Sequence, residues 1–443
     1  MERGERAPGF IVHLSVNQIF HVSLLAYKRL PVLINFQKHI LSNGLRVIIH
    51  PDPSSELAVV NVLYDVGSRD EEETLTGFAH LFEHLMFGGS VNIPSYDEPL
   101  QNVGGENNAF TTPDITNYYC QLPAKNLETA FWLESDRMLS LAFSNESLEI
   151  QRKVVIEEFK QRYLNQPYGD AWLKLRPLCY KVHPYKWATI GKDISHIENA
   201  SMNEVKSFFK KHYCPSNAIL VIAGNVIPEK AMDLCKKWFE PIPAGIKPVR
   251  KISNEPIQVS KRTEVIKSDV PLDALYMTFH TVERLHPDYF AVDLLSDLLG
   301  RGEASQLYDQ LVKKKQLFNT ISAYTTGSTD RGLLVIEGRL NEDFSVQQGE
   351  EAVFNVLRNV INQPVPIKEF EKVKNKAESS LIFSDMSLLN IAAGLAYSEC
   401  LGNADLFNKE AEQIQAVTLE QFMNCAKNIL KEENVSVMYY LRN

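Results

Sequence analysis

The chain has 443 residues, 44% of them apolar and 23% charged, with a formal net charge of −9. That length exceeds what one hydrophobic core usually serves, so two domains of roughly 200 residues each are expected. The acidic balance is spread along the chain and speaks against nucleic-acid binding, which needs a basic face. Lys313, Lys314 and Lys315, the densest basic run, read as a solvated helix face. The cysteines Cys120, Cys179, Cys214, Cys235, Cys400 and Cys425 include no C-x-x-C spacing. They read as free thiols of a reducing compartment, and a cytoplasmic location is expected.

In chain order, the segment from Phe10 to Leu33 is apolar but interrupted by His13, Asn17, Gln18, His21 and Lys28. It has neither the length nor the purity of a membrane span. The leading MERGERAPG balances two Arg with two Glu, so it lacks the basic flank of a secretory signal, and its acidic residues speak against a transit peptide. Residues 1–33 are therefore expected to be a poorly ordered extension, and no membrane span is expected. From Phe36 the pattern is regular. Residues 45–50 and 57–64 read as strands, 75–87 as a helix stopped by Gly88 and Gly89, 204–212 as a helix, and 218–223 as a buried strand. Prolines at 241, 243, 248 and 256 mark a connection, placed at 246–270. Beyond it, 275–281 reads as a strand, 288–299 as a helix ending at Gly300, 419–430 as a helix and 435–441 as a strand. Each half closes with a helix, a turn containing Asn (Asn217, Asn434) and an apolar strand, which points to a divergent duplication of an α+β unit. The expected domains are 34–245 and 271–443.

The chemistry concentrates in the run HLFEH, residues 80–84. On a helix of about 100° per residue, with His80 at zero, His84 falls at roughly 40° and Glu83 at roughly 300°. Phe78, Ala79, Leu81, Phe82, Leu85 and Met86 occupy the rest of the circumference. Such a helix is expected to be buried, and unpaired imidazoles and a carboxylate would cost several kcal/mol there. Two His at i and i+4 can aim ring nitrogens at one zinc ion. Glu83, on the same stripe, stands where a general base for water belongs. It is the H-E-x-x-H arrangement with Glu and the final His in reversed spacing. Chance supplies only about 0.02 copies of H-x-x-E-H in a chain of this size.

Two His leave a catalytic zinc one protein ligand short. The next acidic helical segment, LEIQRKVVIEEFKQR at 148–162, offers Glu157 and Glu158. Spacing alone leaves both open.

These residues resemble the inverzincin peptidases of the pitrilysin and mitochondrial-processing-peptidase type. The resemblance runs from about Phe36 to the C-terminus and is strongest over 77–226, through GFAHLFEHLMFGGS, GGENNAFTTPDITNYYCQLP, RKVVIEEF, HPYKWATIGKDISHI and FFKKHYCPSNAILVIAGNV. It implies a zinc metalloendopeptidase with His80, His84 and Glu158 as ligands, favouring Glu158 over Glu157, and Glu83 as the base. It places Asn108 and Ala109 on an edge strand that receives the substrate backbone by β-augmentation. The implied fold is two related domains, each a mostly antiparallel sheet flanked by helices, forming one half of a clam-shell chamber for short, unfolded peptides.

One departure bears on partners. The family's opposing half supplies an Arg and, seven residues later, a Tyr that hold the substrate carbonyl. In LYDQLVKKKQLFNT the matching positions are Val312 and Asn319, which cannot do that work; oxyanion donors are worth about 10²–10³ in rate each. A heterodimer with a related, zinc-free subunit carrying the pair is therefore expected. The competing expectation is a peptide-binding or structural subunit that does not cleave, which the intact zinc and base positions disfavour.

Overall fold

The computed structural model describes residues 33–443. All but the last residue of the expected 1–33 extension therefore lies outside the described residues. Residues 35–443 form one compact unit built on two sheets. The first contains β1 (Gln37–Ile40), β2 (Arg46–Pro51), β3 (Leu57–Tyr64), β4 (Glu106–Thr111), β5 (Thr116–Pro123) and β6 (Ala218–Gly224), in the order β1-β2-β6-β3-β5-β4. The second contains β7 (Arg262–Ser268), β8 (Ala274–His280), β9 (Phe318–Thr325), β10 (Leu333–Leu340) and β11 (Val435–Arg442), in the order β7-β11-β8-β10-β9.

With β1 set aside, the sheets have one topology. The β2–β6 and β7–β11 pairs are parallel, and every other pairing is antiparallel. The duplication extends to single side chains. Asn217 Nδ2 donates to the carbonyl of His212, which ends one helix, and to that of Asp65 just after β3. Asn434 Nδ2 donates to Ile429, which ends the matching helix, and to His280 at the end of β8.

The helices that position the site or cover the sheets are α1 (Phe78–Leu85), α2 (Asn145–Phe159), α3 (Ala171–Cys179), α4 (Met202–His212), α5 (Tyr289–Gly300), α6 (Leu388–Cys400) and α7 (Leu419–Ile429). The helix expected at 75–87 is shorter, because Gly77 stands before it at φ +90° and a side chain there would meet the Ile190 carbonyl at 2.7 Å. The stretch expected to connect the halves, 246–270, contains β7. Its exposure alternates strictly, but Arg262 and Glu264 share the half-buried face with Ile266 while Thr263, Val265 and Lys267 face solvent, so no apolar alternation marks this edge strand.

Each sheet borrows a helix from the other half. On one face of the first sheet Val47, Ile49, Val60, Val62, Leu220 and Ile222 pack with that half's own helices. The opposite face of β3 and β6 is covered by α6, from the end of the chain. In return α3 lies on β7, β8 and β11, where Leu175 and Leu178 pack against Tyr276, Met438 and Tyr440. Burial on both faces explains why β6 and β8 are fully buried along their length. Among the described residues no single helix is long and apolar enough to cross a membrane, and all six cysteines are unpaired.

Two of the buried histidines bear on stability. His212 at the end of α4 is 2% exposed with both ring nitrogens unpartnered, and His280 of β8 bonds the Cys179 carbonyl at 3.0 Å. Burial depresses both pKa values to about 4, against 6.5 when free. Between those values the unfolded chain binds protons that the folded one refuses, so stability is lost as pH falls below 6.5 and levels off below about 4. Urea titrations are expected to show about 2 kcal/mol lost per histidine at pH 5 relative to pH 8. A His212→Phe variant should lose one such contribution of about 2 kcal/mol.

Candidate metal centre and catalytic site

Helix α1 is held on three sides. Phe78, Leu81, Phe82 and Leu85 are buried. Phe82 stacks on Phe208 and Tyr213 with ring centroids 5.3 and 5.0 Å away, and its carbonyl accepts from Tyr118 Oη at 3.2 Å. No side chain of its own residues caps the N-terminus. Instead buried Glu71 accepts from the backbone N–H of Gly77 at 2.9 Å and of Ala79 at 2.8 Å. The face left over carries His80, Glu83 and His84.

Helix α2 brings the carboxylate to them. Ser144 caps it through Ser147 N, and Arg152 fastens it to the carbonyls of Ile197 and Ala200. Glu157 points outward to Lys160 with its side chain 61% exposed, whereas that of Glu158 is 17% exposed and turned to the imidazoles. One Glu158 oxygen lies 3.2 Å from His84 Nε2 and 3.6 Å from His80 Nε2. The three ligand atoms lie within 4.8 Å of one another. A tetrahedral zinc with bonds of about 2.0–2.1 Å spaces its ligand atoms by about 3.3–3.4 Å, so the set fits that ion. Burial lowers the pKa of His80, which favours the neutral imidazole that a metal requires. Its bond to His84 lowers that of Glu158, whose second oxygen takes Arg162 at 3.0 Å.

Glu83 stays outside this ligand set. Thr111 Oγ1 donates to its Oε2 at 2.6 Å, and burial raises its pKa, in the direction a general base at neutral pH needs. Thr111 ends β4, which among the described residues is an edge strand paired with β5 alone. Asn108 and Ala109 lie on the same strand but on opposite faces. Ala109 lies on the Thr111 side and packs on the core, while Asn108 is exposed and its Oδ1 accepts from Ala109 N at 2.8 Å.

The sequence reading passed over Thr111 and Glu71. Thr111 was findable, since a strand's period of 2 puts it on the face of Ala109. Glu71 was not, because nothing in the spacing says that it folds back onto a helix six residues later. In the second half α5 follows β8 as α1 follows β3, and Asp293, Ser296 and Asp297 take the i, i+3, i+4 spacing of His80, Glu83 and His84. Asp293 accepts from Thr325 and Asp297 pairs with Arg301, so that helix carries no metal set. Val312 is half-buried beside Lys313, and Asn319 is exposed at the start of β9.

Residues 46–168 match the model described as insulinase (peptidase family M16), and 199–377 match the peptidase M16 inactive domain. The zinc protease PqqE of Helicobacter pylori is 30% identical over 399 residues, covering 86% of this chain and 89% of its own. The chain belongs to peptidase family M16. The probable mitochondrial-processing peptidase subunit beta of Arabidopsis thaliana is 23% identical over 401 residues, 87% of this chain and 75% of that one. Among solved structures, a protease from Helicobacter pylori superposes with a TM-score of 0.86 at 27% identity, over 92% of this chain and all of that one (100%). The periplasmic protease PqqL from Escherichia coli shares the fold with a TM-score of 0.76 at 18% identity. The M16 chain here covers 48% of PqqL, with 92% of its own length matched. The model named for an inactive domain falls mainly on the half without the His-His-Glu cluster.

Glu71→Ala leaves two buried N–H groups of the site helix without acceptors. It is expected to lower the free energy of unfolding by about 2–4 kcal/mol and to weaken zinc retention against a chelator. Glu71→Gln, which keeps one acceptor, should lie between. Urea denaturation and metal competition on both variants check this, and wild-type behaviour of Glu71→Ala would remove the capping role.

Proposed function

We propose that this M16 chain is the catalytic half of a zinc metalloendopeptidase that cleaves short, unfolded peptides. The observation that carries the reading is the His80–His84–Glu158 cluster, with ligand atoms within 4.8 Å of one another and Glu83 beside it. His80 and His84 would hold Zn²⁺ through Nε2 and Glu158 through one oxygen. When bound, zinc supplies Lewis acidity toward a peptide carbonyl and toward water.

The chain's own residues do the rest. Glu83, oriented by Thr111, takes the proton of the attacking water and passes it to the departing amine. The free edge of β4, with Asn108 and Ala109, aligns the peptide backbone by adding it as a further strand. The partner is a related subunit without zinc that supplies an Arg and a Tyr. Support for it comes from Val312 and Asn319 at the matching positions here, from the name "subunit beta" of one relative, and from a length close to half of PqqL.

Zinc analysis and a quenched-peptide assay test this. Glu83→Gln should keep stoichiometric zinc and lose about 10²–10⁴ in rate, whereas His80→Ala and His84→Ala should lose the metal as well. Unchanged turnover in Glu83→Gln would remove the mechanism. The chain alone should be slow and speed up when its partner is added. Full activity of the purified chain would remove the heterodimer and leave the catalytic site standing.

A further inference from the structure

Beyond Thr111 the chain enters a cavity of about 200 Å³, walled by Thr112, Trp172, Arg176, Thr326, Ser328 and Tyr397. It lies where the end of β4, helix α3, the β9–β10 loop and α6 meet, so both halves build it. That volume is below the ~300–1,000 Å³ of whole-ligand pockets and suits one side chain or chain end.

Its charge is what points to an occupant. Arg69, Arg137 and Arg250 each hold a carboxylate, at 2.9, 2.6 and 2.6 Å, whereas Arg46 and Arg262 donate to backbone carbonyls away from the cavity. Among the described residues Arg176 holds no carboxylate. Its Nη1 donates to the Tyr185 carbonyl at 3.2 Å, and its guanidinium lies 5.2 Å from the Trp172 ring centroid. Burial pulls its pKa down, opposed by tyrosine and cysteine side chains rather than by an acid. The side chain is half-buried on the cavity wall, and a partly desolvated cation gains from an anion that meets it. The one carboxylate on the wall, Asp114, is already committed to Arg69, to the Tyr185 hydroxyl and to Thr329 N. Beside Arg176 stand neutral hydroxyls, with Thr326 Oγ1 and Ser328 Oγ 2.9 Å apart.

The cavity is also in line with the chemistry. Thr111 touches Glu83, and the wall begins at the next residue. A peptide strand laid on the edge of β4, advancing about 3.3 Å per residue, runs past Thr111 toward the cavity wall that begins at Thr112.

We propose that this cavity is a subsite for a peptide carboxylate, bound by Arg176 beside the hydroxyls of Thr326 and Ser328. It takes an Asp or Glu side chain of the substrate, or the substrate's own C-terminus, close to the cleaved bond. The subsite rests on the peptide-substrate reading above, and a binding measurement separates its failure from failure of cleavage.

The probes are labelled decapeptides. One set is C-terminally amidated and carries a single Glu, Ala or Lys at each position; a second set has no acidic residue and ends in either a free carboxylate or an amide. Anisotropy with the zinc-loaded Glu83→Gln chain reads affinity without turnover, and the quenched assay with the wild-type holoenzyme and its partner reads kcat/KM. One position of Glu, or the free C-terminus, should bind about tenfold to a hundredfold tighter than its neutral counterpart. In the Arg176→Met background that ratio should fall to about one, and Arg176→Lys should keep part of it; circular dichroism confirms that both variants fold. A Glu-specific gain identifies the side chain, and a gain only with the free C-terminus identifies the chain end. Absence of any acid preference, or a preference that survives Arg176→Met, would overturn the subsite. This holds even if the chain binds peptides without cleaving them.

Discussion

The carboxylate of Glu71 closes the N-terminus of α1 with two buried backbone hydrogen bonds, and the loop that carries it, residues 65–73, is fastened further through Asp65, Arg69, Asp70 and Glu73. Asp65 and Asp70 grip Arg250 of the connecting segment, at 2.6 Å each. Arg69 bridges Asp114, beside β4, and Asp330 of the second half. Glu73 reaches Lys186 and Lys192, and Trp187 Nε1 donates to the Ser68 carbonyl. The exposed Glu73 pairs contribute little. The buried ones matter because removing either partner strands a charge. A short loop thus sets the metal helix in register with the edge strand on one side and the second half on the other.

The two halves are copies in topology but not in chemistry. The repeated Asn turn, the shared strand order and the α1/α5 correspondence all trace one ancestral unit. Only the first copy carries two His and a Glu on its helix; the second has Asp293, Ser296 and Asp297 at that spacing, with the two acids paired to Thr325 and Arg301. What the second copy gives the site is architectural: α6 over the first sheet, Asp330 for Arg69, and one wall of the Arg176 cavity.

Much of this was legible in the sequence because it rests on local periodicity. The polar stripe of HLFEH needed only the helical repeat, and the closing helix, Asn turn and strand of each half needed only pattern. The strands buried on both faces, such as Ala218–Gly224, announced themselves as unbroken apolar runs. The misses have the opposite character. β7 is an edge strand with charges on both faces, so no apolar alternation marks it. Glu158 was favoured over Glu157 by the resemblance and not by spacing, because the choice depends on how α2 is rotated about its axis, where Arg152 fastens it to the carbonyls of Ile197 and Ala200. Glu71 and Arg176 act through space, on partners that no spacing rule connects.

The crossing of helices between the sheets has a consequence for the growing chain. When β6 leaves the ribosome, the first sheet has all its strands, yet one broad apolar face of β3 and β6 waits for α6. That helix starts 164 residues after β6 ends, going by bounds at Gly224 and Leu388. At synthesis rates of about 5–20 residues per second, the face stays bare for roughly 10–30 s. During that interval the nascent half is a sticky, unfinished body, and a fragment ending near residue 245 would stay so indefinitely. The half that carries the His80–His84–Glu158 cluster is thus the half that cannot be finished without roughly the last eighth of the chain.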